Sequence, residues 1–308
     1  MSAFVDRATT LGFGLGWAMV RRMPERSAYA LFERIADTAW SRRGPSVLQL
    51  EKNLSRVVPD ATPAELRVLS KQGMRAYLRY YCEAFRLPSW SRSRIVDSIV
   101  LHDEHHLTDA FAVGTGTIVV LPHSGNWDHA GAWATLAHKP VVTVAERLEP
   151  EDLYEQFLAY RRSLGLDVIP LTGGDPPFPY LATRLRDGGL VALIGDRDLS
   201  RNGVRVDFFG AKAKMPAGAA ALAVDTGAVL ITATMYVEDG RNHLRFQPPI
   251  PVPTEGERSR RIVRATQMLA TQFEDGIRAR PGDWHMLQPL WLEDLDPARD
   301  PDRTGGTP

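Results

Sequence analysis

The sequence has one cysteine, Cys82, among its 308 residues. A single thiol cannot form an internal disulfide, which excludes disulfide-stapled domains and indicates a reducing compartment. Near the N-terminus, the apolar run from Ala8 to Val20 has only 13 residues, whereas a helix needs roughly 20 to span a bilayer. Asp6 and Arg7 precede this run and no small-residue cleavage pattern follows it, so neither a membrane span nor a signal peptide is expected.

Several catalytic motifs are also missing. The sequence has no G-x-S-x-G turn, and no G-x-G-x-x-G follows a predicted strand, which argues against a serine hydrolase and a nucleotide-dependent oxidoreductase. Two groups of side chains are candidate metal ligands of a metal-dependent hydrolase, but neither group has a usual zinc spacing. They are His123, Asp128 and His129, and Asp103, His105 and His106. No metal or other cofactor is therefore expected.

Charge is distributed unevenly along a chain whose formal net charge is zero. Residues 1–94 carry 16 Lys and Arg against 8 Asp and Glu, whereas residues 95–308 carry 21 against 29. A basic N-terminal third is typical of a surface that meets an anionic partner, although a solvated helical face has the same composition. Nucleic acid is not expected as a partner.

The chain divides into three predicted regions. Residues 1–94 form an N-terminal amphipathic, basic helical region that belongs to the same domain as the core. In it, the run Ala8 to Val20, with its tryptophan and the following Arg21-Arg22, fits either an in-plane interfacial helix or a core helix. Residues 95–295 form the core, and residues 296–308, rich in Pro, Asp, Arg and Gly, are expected to be disordered.

From residue 95, short β-favouring runs alternate with helical segments, which predicts an α/β fold with a central, mostly parallel sheet flanked by helices. The predicted strands are Ile95–Leu101, Thr117–Leu121, Val141–Val144, Val168–Pro170, Leu190–Ile194, Val229–Tyr236 and Leu244–Phe246. The stretch Val206–Gly210 is predicted to be a loop, and residues 256–279 are predicted to form one amphipathic helix.

The segment from Thr117 to Asp128 is the most informative part of the core. Its apolar run ends at Pro122 and is followed by His123 and a turn of small residues. A short run that is apolar on both faces predicts a buried strand of a parallel sheet. Open α/β sheets bind ligands just past the carboxyl ends of such strands, so His123 is the candidate general base.

Two further acidic residues, Glu146 and Asp196, follow separate apolar strands. The carboxyl ends of parallel strands meet at one edge of a sheet, so both carboxylates can converge with His123. A carboxylate beside an imidazole is the arrangement of an oriented general base, and Asp196 and Asp128 are both candidate partners. No activated nucleophile accompanies them, which indicates direct attack by the acceptor. A purely structural His–Asp pair at a helix start remains the alternative.

The segment His123-Ser124-Gly125-Asn126-Trp127-Asp128 resembles the H-x4-D motif of the bacterial lipid A lauroyl/myristoyl acyltransferase superfamily, and most closely its branch of actinobacterial phosphatidylinositol mannoside acyltransferases. Several more stretches extend the resemblance over roughly residues 10–292, which makes it far more specific than the H-x4-D motif alone. They are Thr143-Val144-Ala145-Glu146-Arg147-Leu148, Tyr160-Arg161-Arg162-Ser163-Leu164-Gly165, Asp196-Arg197-Asp198-Leu199, Val206-Asp207-Phe208-Phe209-Gly210, Met215-Pro216-Ala217-Gly218 and Asp283-Trp284-His285-Met286-Leu287-Gln288-Pro289.

The resemblance implies a glycerol-3-phosphate-acyltransferase-like fold and a peripheral enzyme at the cytoplasmic face of the plasma membrane. Such an enzyme moves a long acyl chain, typically palmitoyl, from acyl-CoA to a mannose hydroxyl of phosphatidylinositol mannoside. Acyl-CoA is then a substrate, and the inner-membrane surface with its anionic lipids is a partner. The basic N-terminal region would dock on that surface, since anionic lipid attracts basic residues.

The resemblance also implies residue roles. The family's base falls on His123, and its second-strand Glu and the following helix Arg fall on Glu146 and Arg161. Its catalytic-site Glu on the fourth strand falls on Asp196, which is one methylene shorter. We therefore keep both Asp196 and Asp128 as candidate catalytic partners of His123 and favour Asp196.

Substrate contacts follow from the chemistry of the proposed reaction. A tetrahedral oxyanion needs donors, and the candidates are the Ser124–Asn126 turn at a helix N-terminus or Arg161. CoA phosphates need Arg or Lys, and Arg197 is a further candidate for substrate binding. The substrate-binding set is therefore Ser124, Asn126, Glu146, Arg161 and Arg197.

Three other functions remain open from the sequence. An acyl-CoA thioesterase would use the same base on water and release free acid with or without an acceptor. An acyltransferase of the same family could act on a different lipid or glycolipid. A non-catalytic lipid-binding protein would bind liposomes but show no turnover. The oligomeric state is not predicted.

Overall fold

The computed structural model describes residues 16–147, 150–198 and 203–295, so the predicted disordered tail lies outside the described residues. The helices are α1 (Glu25–Ser41), α2 (Pro45–Val57), α3 (Pro63–Arg86), α4 (Arg92–Asp97), α5 (His105–Val113), α6 (Trp127–Ala137), α7 (Glu151–Ser163), α8 (Pro177–Arg186), α9 (Gly218–Thr226) and α10 (Arg258–Ala279). The strands are β1 (Ile99–His102), β2 (Thr117–Leu121), β3 (Val141–Ala145), β4 (Asp167–Pro170), β5 (Leu190–Ile194), β6 (Val204–Phe208), β7 (Ala211–Met215), β8 (Val229–Glu238) and β9 (Arg241–Phe246).

Seven of these strands form one sheet in the order β1-β9-β8-β2-β5-β3-β4. All neighbouring pairs are parallel except β8 and β9, which form an antiparallel hairpin. Five adjacent strands, β8, β2, β5, β3 and β4, therefore run in the same direction. The predicted α/β fold with a central, mostly parallel sheet is confirmed.

Strand β2 lies inside this sheet and is buried along its whole length. Ile118 and Val120 belong to an apolar cluster formed with α8, α9 and α10. Val119 and Leu121 belong to a second cluster, formed with α3, α5, α6 and α7. Because successive side chains of a strand point to opposite faces, helices cover both faces of the sheet, as the apolar run of β2 predicts.

The N-terminal helices pack on the same core as the sheet. Residues 16–22 are helical, and Trp17 is buried with its indole N–H donated to the Phe85 carbonyl at 2.8 Å. The described end of the predicted interfacial run is thus a core helix, while its residues 8–15 lie outside the described residues. Within the described part of the chain, no helix is long and apolar enough to cross a membrane.

The predicted strand Ile95–Leu101 is wrong in its first half. Residues there belong to α4, whose N-terminus is capped by the Ser91 hydroxyl accepting the Arg94 N–H at 3.1 Å. Only the four residues of β1 are extended. A side-chain cap satisfies an otherwise unpaired N–H and so favours a helical start that the apolar pattern alone does not reveal.

The predicted loop Val206–Gly210 is also wrong, because it forms most of the first strand and the turn of the β6–β7 hairpin. Val206 and Phe208 are buried, while the residues between and before them are exposed. Phe209 and Gly210 have φ values of 49° and 74°, and positive φ at both central residues is what a two-residue hairpin turn requires.

Candidate active site

The strands β2, β5 and β3 are neighbours, so their carboxyl ends lie side by side. His123 follows β2, Asp196 follows β5 and Glu146 follows β3. Leu121 pairs with Ile194 in the register of β2 and β5, so the chain leaves both strands at the same level of the sheet. The convergence predicted from the strand pattern is confirmed for His123 and Asp196, and Glu146 borders the same cavities as His123.

A glycine makes the approach of Asp196 to β2 possible. A Cβ atom at Gly195 would lie 2.4 Å from Cγ1 of Val120, so no larger residue fits without a shift. The Gly195 N–H donates to the Leu121 carbonyl at 3.0 Å. This close contact between the two strand ends brings the Asp196 side chain to His123.

His123 and Asp196 form a hydrogen-bonded pair. Nδ1 of His123 lies 2.5 Å from Oδ1 of Asp196, and the backbone N–H of His123 donates to Oδ2 at 2.9 Å. The Asp196 side chain is fully buried, whereas that of His123 is 30% exposed. An ionised carboxylate can only accept, so Nδ1 carries the hydrogen and Nε2 is left as the basic nitrogen.

The surroundings of Asp196 keep its carboxyl ionised. Burial by itself would raise the pKa of Asp196, but the charge and hydrogen bonds of His123 and the indole N–H of Trp284 outweigh burial and lower the pKa. Trp284 is itself fully buried and donates to Oδ2 at 2.9 Å. Asp196 is therefore an anion at neutral pH.

The turn after His123 is held by residues 283–285. The Gly125 N–H donates to the Asp283 carbonyl at 3.3 Å, and the His285 N–H donates to the His123 carbonyl at 3.1 Å. Gly125 has a φ of +57°, and a Cβ atom there would lie 2.6 Å from Cβ of Met235. Only glycine meets both demands, so this backbone contact fixes the position of His123.

Asp128, the other candidate partner of His123, faces different groups. Its Oδ2 accepts the Tyr80 hydroxyl and its Oδ1 accepts the Arg161 Nε–H, both at 2.9 Å. Burial by itself would lower the pKa of Arg161, but the Asp128 charge outweighs burial and raises it. Asp128 thus forms a buried ion pair with Arg161, and this geometry favours Asp196 as the residue that orients His123.

Ser124 is buried in the turn and does not line the cavities that border His123. Its N–H donates to the Pro122 carbonyl at 2.8 Å, and the Gly125 N–H is bonded to Asp283. Two backbone donors of the predicted oxyanion site are therefore already hydrogen-bonded. This geometry does not support substrate contact by the Ser124 side chain.

Asn126 holds the structure around the turn. Its Oδ1 accepts the His129 N–H at 3.0 Å and caps α6. Its Nδ2 donates at 2.9 Å to Glu83, whose carboxylate also accepts hydrogen bonds from Arg79 and Asn242. The Asn126 side chain is buried and lines neither cavity at His123, so its predicted substrate contact is not supported either.

Two cavities meet at His123. They share six lining residues, which are His123, Trp127, Ala145, Glu146, Arg161 and Arg197. One, here called the aliphatic cavity, has a volume of about 210 Å³ and is otherwise lined by residues such as Leu121, Val144 and Ile194. The other, the aromatic cavity, has a volume of about 310 Å³ and is lined by Tyr77, Tyr81 and Phe157 among others.

A larger cavity, about 730 Å³, lies between α1, α3 and residues 279–283 and does not border His123. Its arginines are already paired with carboxylates, as Arg79 is with Glu83 and Arg280 with Glu238. Because its arginines are paired and it does not border the His123–Asp196 pair, we assign the functional site to the two cavities at His123. Across the described ranges of the chain, no group of three or more His, Cys, Asp or Glu side chains could hold a metal ion.

The chain is similar to known proteins over almost its whole length. Residues 6–293 match the family described as bacterial lipid A biosynthesis acyltransferase. The chain is 43% identical over 297 residues to the phosphatidylinositol mannoside acyltransferase of Mycolicibacterium smegmatis, with 95% of this chain and 94% of the relative covered. It is 42% identical over 304 residues to the phosphatidylinositol mannoside acyltransferase of Mycobacterium tuberculosis, with 97% and 93% covered.

Proposed function

Because the chain belongs to the bacterial lipid A biosynthesis acyltransferase family, we propose that it moves a long acyl chain, such as palmitoyl, from acyl-CoA to a mannose hydroxyl of a phosphatidylinositol mannoside. The observation that carries this proposal is a partly exposed histidine, His123, paired with the buried carboxylate of Asp196 where two cavities of different chemistry meet. The names of the relatives supply the acceptor class.

In the proposed reaction, Nε2 of His123 takes the proton of the acceptor hydroxyl while that oxygen attacks the thioester carbonyl carbon. The carbon–sulfur bond then breaks, and the CoA thiolate leaves with the proton from His123. Asp196 accepts the hydrogen bond of Nδ1–H throughout and stabilises the imidazolium that forms between the two steps. No metal or other cofactor takes part in this scheme.

Arg161 supports the charged parts of the reaction. Its Nε–H is fixed on Asp128, and the residue borders both cavities beside His123. We assign it to the oxyanion of the tetrahedral intermediate, since the first two backbone N–H groups of the turn are already bonded. Arg197 borders the same two cavities and is assigned to CoA phosphate. Glu146 at their rim is assigned to acceptor hydroxyls.

The linings divide the substrates between the two cavities. The aliphatic cavity presents hydrocarbon side chains of the sheet strands and suits the acyl chain next to the thioester. The aromatic cavity presents tyrosine hydroxyls beside flat rings and suits a polyhydroxylated sugar. His123 borders both, so it can reach the sugar hydroxyl and the thioester carbonyl together.

We further propose that the protein acts as a peripheral enzyme at the cytoplasmic face of the plasma membrane, where its glycolipid acceptor resides. The excess of basic residues over residues 1–94 supports attraction to anionic lipid. Flotation with vesicles containing phosphatidylinositol tests this point. Binding that weakens as salt is raised supports it, and absence from the vesicle fraction at low salt contradicts it.

The test of the activity is CoA release from palmitoyl-CoA, measured with and without phosphatidylinositol mannoside in wild type and in His123→Ala. Mass spectrometry identifies the lipid product. Acceptor-dependent release and an acylated glycolipid, both lost in the variant, support the proposal. Equal release with and without acceptor would instead indicate a thioesterase, and unchanged turnover in His123→Ala would contradict the mechanism.

A further inference from the structure

We propose that Trp284 is a positioning residue of this reaction: its indole N–H holds the Asp196 carboxylate in the orientation that His123 needs. The inference rests on the proposed function, because it assumes that His123 is the base. It assigns a role to a side chain that touches neither the substrate cavities nor His123's ring nitrogens, and that acts through Asp196 alone.

The hydrogen bonds of Asp196 define that role. Oδ1 faces Nδ1 of His123, while Oδ2 accepts two N–H groups, one from the His123 backbone and one from Trp284, each at 2.9 Å. Two of these three contacts come from His123 itself. Among the residues that the structure describes, Trp284 is therefore the donor that ties the carboxylate to a part of the protein outside the pair.

The backbone around Trp284 holds the other member of the pair. Ser124 and Trp284 form an antiparallel bridge, and the His285 N–H donates to the His123 carbonyl. One short segment thus fixes His123 by its main chain and Asp196 by an indole. A displacement of this segment would move both partners together, which keeps their mutual geometry constant.

The indole can hold a fixed position because it is tightly packed. Trp284 is fully buried, and its ring lies 6.2 to 6.5 Å, centroid to centroid, from those of Phe208, Phe209 and Trp291. An indole N–H can only donate, so it favours the ionised carboxylate over the protonated acid. Since Asp196 is also fully buried, water does not replace this donor when it is removed.

The chain offers a matched control in Trp291. It is also fully buried, belongs to the same aromatic group and donates its Nε1–H at 2.9 Å, but the acceptor is the Phe208 carbonyl instead of the catalytic pair. Trp284→Phe and Trp291→Phe therefore remove the same kind of donor from the same surroundings. They differ in whether the lost hydrogen bond reaches Asp196.

In Trp284→Phe we expect kcat to fall about 10- to 100-fold with KM for palmitoyl-CoA and acceptor unchanged, the cost of one hydrogen bond to a charged group. The acid limb of the kcat/KM profile should move to higher pH. Without the indole N–H, the carboxylate directs more negative charge at His123 and favours its imidazolium. Trp291→Phe should keep the wild-type profile. Equal losses in both variants, or an unshifted profile in Trp284→Phe, would overturn the proposal.

A second pair of variants separates the N–H from ring bulk and covers the case in which Trp284→Phe does not fold. The five-membered ring of histidine overlays that of indole, so Trp284→His restores an N–H at the same place while losing more packing. We expect Trp284→His to melt at a lower temperature than Trp284→Phe and yet to have a higher kcat. A lower kcat than that of Trp284→Phe, or an equal loss of activity in Trp291→His, would show that ring bulk decides the activity, and the proposal would fail.

Two further variants distinguish this inference from the proposed function. In an Asp196→Asn background, Trp284→Phe should cost little additional activity, because the carboxylate through which it acts is absent; a full additive loss would contradict the role. His123→Ala tests the base. If His123→Ala remains active, the proposed mechanism fails. If His123→Ala is inactive but Trp284→Phe has wild-type activity, the mechanism stands and only the role of Trp284 is contradicted.

Discussion

His123 makes two hydrogen bonds to Asp196, one from its ring and one from its own backbone N–H. The backbone bond fixes where the carboxylate lies relative to the peptide of His123, and the ring bond then fixes the imidazole on the carboxylate. The pair is thus assembled before substrate arrives. Its outer ring nitrogen is the one left to exchange a proton, at the junction of the two cavities.

Asp196→Asn should lower kcat by about 10³- to 10⁴-fold, the range known for the same change in a Ser-His-Asp triad. An amide NH₂ facing Nδ1 favours the tautomer in which Nε2 carries the hydrogen, so the base is lost. The fold should persist, because the amide oxygen can still accept from Trp284 and the His123 backbone. CoA release measures the first point and circular dichroism the second. A variant within tenfold of wild type would show that the carboxylate does not support the base.

Asp128→Asn should act mainly on stability. It leaves the buried guanidinium of Arg161 without its counter-charge, and breaking a buried ion pair costs about 3–5 kcal/mol. Tyr80→Phe removes only one hydrogen bond to the same carboxylate and should cost less, about 1.5–3 kcal/mol. Urea unfolding gives both values. If Asp128→Asn is as stable as wild type, the ion pair between Asp128 and Arg161 does not stabilise the fold.

Sequence reasoning located the edge of the sheet that carries the candidate site because strand patterns are local. The run before His123 is apolar at every position, which already indicates burial on both faces, and parallel strands must end on one edge. His123, Glu146 and Asp196 could therefore be placed near one another without knowledge of the strand order. The α/β class follows from the same alternation of short apolar runs and helical segments.

Strand patterns alone do not decide whether Asp196 or Asp128 is the partner of His123. Asp128 is five residues from His123, but the partners that occupy it, Tyr80 and Arg161, lie 48 and 33 residues away. Glu83 was missed for the same reason, since one of its donors, Asn242, is 159 residues distant. Contacts of this kind depend on helix packing, which periodicity does not encode.

The β6–β7 hairpin was missed because its turn has Phe instead of the usual Asn or Asp.

Glu83→Gln should destabilise the protein by about 3–5 kcal/mol. The buried carboxylate accepts from Arg79, Asn126 and Asn242 at 2.7 to 2.9 Å, and an amide nitrogen in place of one oxygen faces these donors with a donor of its own. Glu33→Gln is the matched control, because it removes a half-exposed carboxylate paired with Arg75 and should cost less than about 1 kcal/mol. Chemical unfolding at neutral pH compares them, and equal stabilities would contradict the role given to Glu83.

The pH dependence of stability should carry a contribution from His285. Burial lowers its pKa from 6.5 to about 4, so between these values the unfolded chain binds more protons than the folded one. Stability from this group is complete above pH 6.5 and is lost, by about 3 kcal/mol, as pH falls to 4. His285→Gln should lack that loss. The unfolding free energy of His285→Gln minus that of wild type should therefore rise as pH falls from 7.5 to 4.5.

The nearby Asp283 has the opposite effect on stability, because burial raises its pKa to about 6. Asp283 is present in both proteins, so its contribution cancels in the difference. Substitution of the exposed His105 by Gln controls for surface charge, and a difference between wild type and His285→Gln that stays constant with pH would rule out a buried, neutral His285.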